Sequence, residues 1–296
     1  MATVPPRSAP VVLSVAYHSQ PALERLAHDL VHQSLLPLLW LVVDNSPDSA
    51  PLDAARLQPA GSQGERLDLE LVSGQEGDGF GAGCNRGFDH LAQRGLRGWV
   101  WLLNPDTALP EGTELERLCQ ALDGQSARAL VGTAVRDSDG RPEASGGWID
   151  PGLDFRRRRL GPDQMNNVES LAVDWLSGCS LVLQPSAHTP PARFDPVFPL
   201  YYEDMDLCLR LARSGASVLW LPSPAVIHQR GAGSHTPSER RLGLSTLSYV
   251  LFLRRHRPGW VTLVRSLRLL FTSLLRLPLQ PRRSVAVLRA MLAACR

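Results

Sequence analysis

Trp99-Val100-Trp101-Leu102-Leu103-Asn104-Pro105-Asp106-Thr107 is the stretch that decides the fold. Its five leading apolar residues, bounded by Gly98 and Pro105, suit a strand buried on both faces of a sheet. The strand runs directly into a carboxylate. In open α/β sheets ligands sit outside the carboxyl ends of strands, so Asp106 is delivered to where a binding crevice belongs. On its own, Asn-Pro-Asp-Thr reads first as a turn, because Asn, Pro and Asp are the usual turn formers.

Toward the N-terminus the same pattern repeats. Val11 to Val15 reads as a buried strand, and Leu23, Leu26, Ala27, Leu30 and Val31 follow at helical spacing behind Ser19 as N-cap. Leu38 to Val43 is the next strand, ending in Asp44-Asn45-Ser46; Leu67 to Val72 is another, and a helix spans about Gly83 to Arg94. Strand, helix, strand in this compass is a βαβ unit with parallel pairing and a right-handed crossover. The expected class is α/β, a doubly wound half-domain.

Polar residues gather at the strand ends. Tyr17 and His18 follow the first strand, Asp44 the second and Asp106 the fourth, while the third leads into glycines 77, 79, 81 and 83. Alternating glycines let backbone approach a ligand, and a helix N-terminus beyond them favours an anion, so a phosphate-bearing ligand is the economical expectation. A flexible loop is the plain alternative. Gly77-x-Gly79-x-x-Ala82 also loosely fits the dinucleotide fingerprint of an oxidoreductase, although that fingerprint belongs after a first strand.

Composition limits what the crevice serves. With 296 residues, 44% apolar and 20% charged, the chain can bury a core in one large domain or two modest ones. Every basic residue among its Lys+Arg total of 31 is Arg, which removes Schiff-base and P-loop lysine chemistry. A net charge of +2 gives no case for nucleic acid. Cys84, Cys119, Cys179, Cys208 and Cys295 are scattered, which suits reduced thiols of a cytoplasmic protein. Residues 1–10 lack a continuous apolar run and read as a loose tail, neither signal peptide nor anchor.

Beyond the crevice the pattern changes. Ala129 to Val135 reads as a strand, and Asp137 to Pro162 is polar, with Arg156 to Arg159 as a solvated face or a contact for a phosphorylated or lipid-headgroup acceptor. Val173-Asp174-Trp175-Leu176-Ser177-Gly178-Cys179-Ser180 leads into apolar Leu181 to Leu183. In Tyr201-Tyr202-Glu203-Asp204-Met205-Asp206-Leu207-Cys208-Leu209-Arg210 a helix begins near Glu203 with three acids in its first turn. Crowding of that kind is relieved by a cation or by a raised pKa, and a raised pKa suits a general base. Ser217 to Leu221 and Ala225 to Ile227 read as short strands, with His228 at the end of the second as a hydrogen-bonder or a ligand.

From about Thr236 a helical extension begins. Leu242 to Leu253 is apolar but too brief to span a bilayer. Leu263, Leu267, Leu270 and Leu274 then recur at helical spacing opposite Arg265, Arg268 and Arg276. That is an amphipathic basic helix, suited either to an anionic membrane surface or to packing on the rest of the chain.

In this order, Val43-Asp44-Asn45-x-Ser, the Gly-Phe-Gly-Ala-Gly-Cys-Asn-Arg-Gly run ending at Gly87, Leu-Leu-Asn-Pro-Asp106, Asp174-Trp175-x-x-Gly178, Tyr-Tyr-Glu203-Asp204-x-Asp206-Leu-x-x-Arg210 and the strand-ending His228 resemble the inverting GT-A glycosyltransferases of family 2. The resembling branch is the bacterial rhamnosyltransferase-like and galactofuranosyltransferase-like enzymes, and the likeness covers roughly Val11 to Ser234. It implies a Rossmann-like, mostly parallel sheet flanked by helices, with a catalytic domain over 11–235 (nucleotide-binding half 11–107, acceptor half 108–235) and an extension over 236–296. By resemblance Tyr17 lies against the nucleobase, Asp44 bonds base or ribose, and Gly79, Gly81, Asn85 and Asn104 line the nucleotide-sugar site. Asp106 is the metal carboxylate of an Asn-x-Asp form of the family's Asp-x-Asp element, and His228 completes the protein ligands. Asp204 is the general base with Glu203 beside it, and Asp174, Trp175 and Gly178 border the acceptor. His18 stands where many relatives have Asn.

The implied activity is metal-dependent, Mg²⁺ or Mn²⁺, transfer of a sugar from a nucleotide donor to a hydroxyl of a glycan or lipid-linked glycan in cell-surface polysaccharide assembly, with dTDP-rhamnose as first expectation for the donor. Location is cytoplasmic, with peripheral membrane contact through 259–276. The alternatives are a dinucleotide-dependent oxidoreductase and an inactive GT-A-like nucleotide-binding module.

Overall fold

Apolar runs without polar alternation become strands covered on both faces, and the computed structural model, which describes residues 9–46, 49–62, 64–150, 157–160, 168–229 and 238–294, shows how. Residues 1–8, Arg156 and Cys295 lie outside those described. The elements run β1 (Val11–Ala16), α1 (Gln20–Val31), β2 (Leu39–Asp44), β3 (Leu69–Ser73), α2 (Phe80–Gln93), β4 (Val100–Leu103), β5 (Thr107–Ala108), α3 (Glu114–Leu122) and β6 (Leu130–Asp137). Then come β7 (Gly146–Ile149), β8 (Arg157–Arg159), β9 (Leu171–Ala172), β10 (Trp175–Leu176), β11 (Ser180–Leu183), α4 (Glu203–Arg213), β12 (Val218–His228), α5 (Ser238–His256), α6 (Gly259–Arg276) and α7 (Pro281–Ala293).

Among the described residues the main sheet has the order β3-β2-β1-β4-β11-β6-β12-β5, with β9 also on β12. β1 pairs in parallel with β2 and β4, and β2 with β3, as the βαβ pattern predicts. β11 enters antiparallel between β4 and β6, which makes the sheet mixed. Because strand side chains alternate in direction, the decisive stretch feeds two cores. Val100 and Leu102 join Leu13, Leu41, Phe88 and Leu207 on one face; Trp101 and Leu103 join Val12, Trp40, Leu26 and Leu118 on the other. Buried indoles need partners, and serines supply them: Trp101 Nε1 donates to Ser180 Oγ (2.9 Å), Trp220 Nε1 to Ser145 Oγ (2.9 Å) and Trp40 Nε1 to Ser14 Oγ (3.3 Å).

Several expectations need correction. The two short strands expected at Ser217 to Leu221 and Ala225 to Ile227 are one strand, β12, whose register shifts between Leu221 and Ala225. Pro222 and Pro224 lack the N–H a ladder needs, so the irregularity falls there. Ser19 sits at the α1 N-cap but makes no side-chain cap bond; its hydroxyl donates to the Tyr17 carbonyl instead. α3 was not anticipated, although Leu115, Leu118 and Leu122 recur at helical spacing on its buried side. A three-stranded sheet, β10-β7-β8, occupies what read as a polar loop.

The C-terminal helices divide sharply. α5 inserts Phe252 and Leu253 into a cluster with Trp175, Phe198 and Met205. The leucines of α6 do not pack on the sheet domain: Leu263 is 60% exposed, Leu267 54%, Leu270 38% and Leu274 50%. No helix among the described residues is long and apolar enough to cross a membrane.

Candidate active site

The strand ends open onto two adjoining cavities that share Phe80, Asn104 and Leu200 in their walls. The first, about 320 Å³, is lined by Tyr17 after β1, Asn45 after β2, Gly77 to Gly79 before α2, and Asn104 and Asp106 after β4. The second, about 270 Å³, holds Glu143, Gly178, Tyr201, Glu203, Asp204 and His228.

Asp106 and His228 come together because β5 pairs antiparallel with β12, setting Thr107 opposite His228, while the Gln229 amide donates to the Asp106 carbonyl. His228 Nε2 lies 3.3 Å from Asp106 Oδ2, and its Nδ1 lies 3.0 Å from Glu143 Oε2. Burial pushes the imidazole's pKa down, but the hydrogen bonds to Asp106 and Glu143 outweigh it and hold it above the usual value. Glu143 thus fixes the orientation of the imidazole from its Nδ1 side. Sequence reasoning missed it, for it lies in an aperiodic polar segment with nothing to single it out. Among the described residues no group of three or more His, Cys, Asp or Glu could hold a metal. One carboxylate and one oriented imidazole, Asp106 and His228, could nonetheless contribute to holding a divalent cation.

The three acids at the start of α4 settle their crowding in three ways. Glu203 is 6% exposed, and burial, reinforced by the charge of Asp204, pushes its carboxyl up to about 8. It is therefore protonated at neutral pH. Asp204 accepts hydrogen bonds from the Gly178 amide (3.0 Å) and the Met205 amide (2.8 Å), which fix it at the wall of the second cavity. Asp206 is fully buried between His256 Nε2 (2.8 Å) and Arg210 Nε (2.6 Å); burial pushes its carboxyl up, but those partners hold it below the usual range. His256 belongs to α5, so the C-terminal region clamps the helix that carries Asp204.

Backbone strain marks the same place. Among the described residues, the non-glycine residues with positive φ are His18 (51°), Tyr201 (66°) and Tyr202 (67°). Tyr201 and Tyr202 turn the chain into α4, and Tyr202 packs its ring on Tyr249 and Phe252 of α5. Two consecutive left-handed aromatic residues are costly and persist only where the surroundings impose them.

Other expected site residues serve the scaffold. Asp44 accepts from the Ser46 and Leu52 amides and so ties down its loop, and Asn45 lines the cavity beside it. Gly79 lines the cavity, but Gly81 and Gly83 lie within α2, where an added Cβ would meet Phe194 at 2.9 Å and Val15 at 2.5 Å. The glycine run thus lets α2 sit close to its neighbours more than it cradles a ligand, and it follows β3, which removes its likeness to a dinucleotide turn. Asn85 spends both amide atoms on the Phe194 backbone. Asp174 accepts from the Ile149 amide, and Trp175 is core, 4% exposed. Gly178 alone of the acceptor trio lines the second cavity.

The family model described as "Glycosyl transferase family 2" matches residues 11–182. The chain is 26% identical over 276 residues to "N-acetylglucosaminyl-diphospho-decaprenol L-rhamnosyltransferase" from two strains of Mycobacterium tuberculosis, covering 84% of this chain and 85% of theirs. Solved structures with a similar fold include the mannosyltransferase PcManGT from Pyrobaculum calidifontis in complex with GDP-Man and Mn²⁺, with a TM-score of 0.56, 17% identity and coverage of 99% of this chain and 87% of that one. Another is GalNAc-T7 with UDP, GalNAc and Mn²⁺, with a TM-score of 0.60 and 12% identity; the match covers 85% of this chain and 48% of that one, about half its length.

Proposed function

The chain belongs to glycosyl transferase family 2 and is a glycosyltransferase, and from that premise we propose that it moves a sugar, L-rhamnose from a dTDP donor, onto a hydroxyl of a diphosphate-linked lipid glycan with inversion. The observation that carries this reading is the meeting of Asp106 and His228 at 3.3 Å, where a cavity at the strand ends adjoins a second one walled by Asp204. The L-rhamnosyltransferase named among the relatives supports the sugar and the acceptor class.

In this reading the first cavity takes the nucleotide sugar. Tyr17, 36% exposed, offers its ring to the base, and Asn104 stands where the two cavities meet. Asp106 and His228 would hold the divalent cation, with Glu143 fixing the imidazole. Such a cation, when bound, neutralises the charge growing on the departing diphosphate. Asp204 takes the proton of the acceptor hydroxyl, a contribution on the order of 10²- to 10⁴-fold in rate. Glu203, protonated at neutral pH, keeps a second negative charge away from that base.

We place the enzyme at an anionic membrane surface through α6. Its exposed side carries Trp260, Leu263, Leu267 and Phe271, and Arg265, Arg268 and Arg276 lie on the same helix.

A donor screen tests the whole. Stabilisation by dTDP or UDP only with Mn²⁺ or Mg²⁺, together with nucleotide release that requires a lipid-linked acceptor, is the expected result. Stabilisation by NAD without metal would make the chain an oxidoreductase. Nucleotide binding with no transfer to any acceptor would make it an inactive module.

A further inference from the structure

A second concavity lies among the C-terminal helices. α5 and α7 approach closely at Gly243, whose added Cβ would sit 3.6 Å from the Ala286 carbonyl oxygen. At that approach runs a groove of about 690 Å³. Its floor is apolar, with Leu244, Leu247 and Ala290. Its rim sets three guanidiniums, Arg240, Arg282 and Arg289, against one carboxylate, Glu239. All three arginines are exposed, and Arg282 lies close enough to Glu239 to lower its pKa.

An apolar floor alone suits any hydrocarbon, and an arginine rim alone suits any anion. Together they suit a molecule that is doubly anionic at one end and hydrocarbon beyond it, because guanidinium forks pair bidentately with phosphate oxygens. Continuity decides between such molecules. Arg240 and Leu244 line both this groove and the first cavity, so an occupant reaches toward the catalytic cleft. α6, with its exposed apolar side, packs against both helices of the groove.

We propose that the α5–α7 groove seats the polyisoprenyl diphosphate of the acceptor, with Arg282 and Arg289 on the diphosphate and Leu247 and Ala290 under the first isoprene units. This rests on the lipid-linked acceptor of the preceding section. It adds a binding site outside the cleft, in the part of the chain beyond the family match.

The test titrates farnesyl diphosphate, without divalent cation or donor, into the full chain and into the double variant Arg282→Ala, Arg289→Ala. Both side chains are exposed, so the variant folds. The expected result is an affinity loss of about tenfold or more, with dTDP affinity unchanged, since charge-assisted hydrogen bonds are removed at this groove alone. Inorganic diphosphate and farnesol bind the wild type at least about tenfold more weakly. Unchanged affinity in the variant overturns the proposal, as does inorganic diphosphate binding as tightly as the farnesyl ester. Phosphatidylglycerol vesicles that displace the probe from the groove as effectively as polyprenyl diphosphate would assign the site to bulk membrane and overturn it too. Transfer assays on the same preparations separate the two readings. Wild type that binds the probe through these arginines yet transfers to no lipid-linked acceptor defeats the acceptor reading and leaves the groove. Transfer with the same acceptor KM in wild type and variant defeats the groove and leaves the acceptor reading.

Discussion

Under the proposed function residues 11–107 form a donor side and residues 108–235, clamped by α5 of the extension, an acceptor side, and the two hold their side chains in different ways. On the donor side each functional side chain stands at the end of its own strand and is placed by local βα order: Tyr17 after β1, Asn45 after β2, Asp106 after β4. On the acceptor side each is held by a partner distant in the chain. The Gly178 amide fixes Asp204, Glu143 fixes His228, and His256 fixes Asp206. Strand order does most of the placing in the first region, where Asn45 also bonds the Asp78 carbonyl and Asp106 meets His228, whereas the second depends more on individual clamps. Single substitutions should therefore cost donor affinity in one region and turnover or stability in the other.

The largest expected effect is that of Asp204→Asn. It removes the proton acceptor and keeps one of the two amide contacts, because the Gly178 and Met205 amides donate to different oxygens and asparagine retains a single accepting one, so turnover should drop by about 10²- to 10⁴-fold while donor affinity by calorimetry stays near wild type. Equal losses in both would erase the division between the two sides. Asp206→Ala should act on stability instead. It strands the buried His256 and the Arg210 guanidinium without their carboxylate, a change of about 3–5 kcal/mol in chemical denaturation. A loss below about 1 kcal/mol would mean that α4 does not need its α5 clamp, since typical single hydrogen bonds contribute that much.

The same contrast explains what could be read from the sequence. The parallel strands, α2 and the delivery of Asp106 follow from apolar runs and their periodicity, which are local. That Asp106 and His228 face one another was implied by resemblance, and the β5–β12 pairing supplies the physical cause. Glu143 was not legible, because its importance lies wholly in a contact with residue 228. Asn85 and Gly81, which the resemblance assigns to the nucleotide-sugar site, turn toward Phe194 in the structure, and that too is hidden in the sequence for a related reason. A short motif does not tell whether its polar or small residues turn toward a ligand or toward Phe194. The left-handed backbone at Tyr201 and Tyr202 left no trace either, since aromatic residues do not advertise positive φ.

Glu143→Ala sharpens the comparison at the junction of the two sides. It leaves Asp106 and His228 in place but frees the imidazole, so Mn²⁺ affinity in the presence of dTDP should fall by about 10- to 100-fold. Donor affinity without metal should not change. An unaltered Mn²⁺ affinity would show that the histidine needs no orienting partner.

The smallest effect is expected from Glu203→Gln, and it appears in the pH dependence of stability. The carboxyl titrates at about 8 in the folded chain against a usual 4.5, so the folded state binds the extra proton between those values. Stability then falls as pH rises through that window, because folding must either retain a proton that solvent would remove or bury a charge beside Asp204. Between pH 6 and 8 this amounts to about 2 kcal/mol in wild type. Glutamine has the shape of the protonated acid and nothing to titrate, so the variant should match wild type near pH 6 and exceed it near pH 8 by that amount. If both lose stability in parallel on going to alkaline pH, the neutral carboxyl beside Asp204 is not what separates the acids of α4.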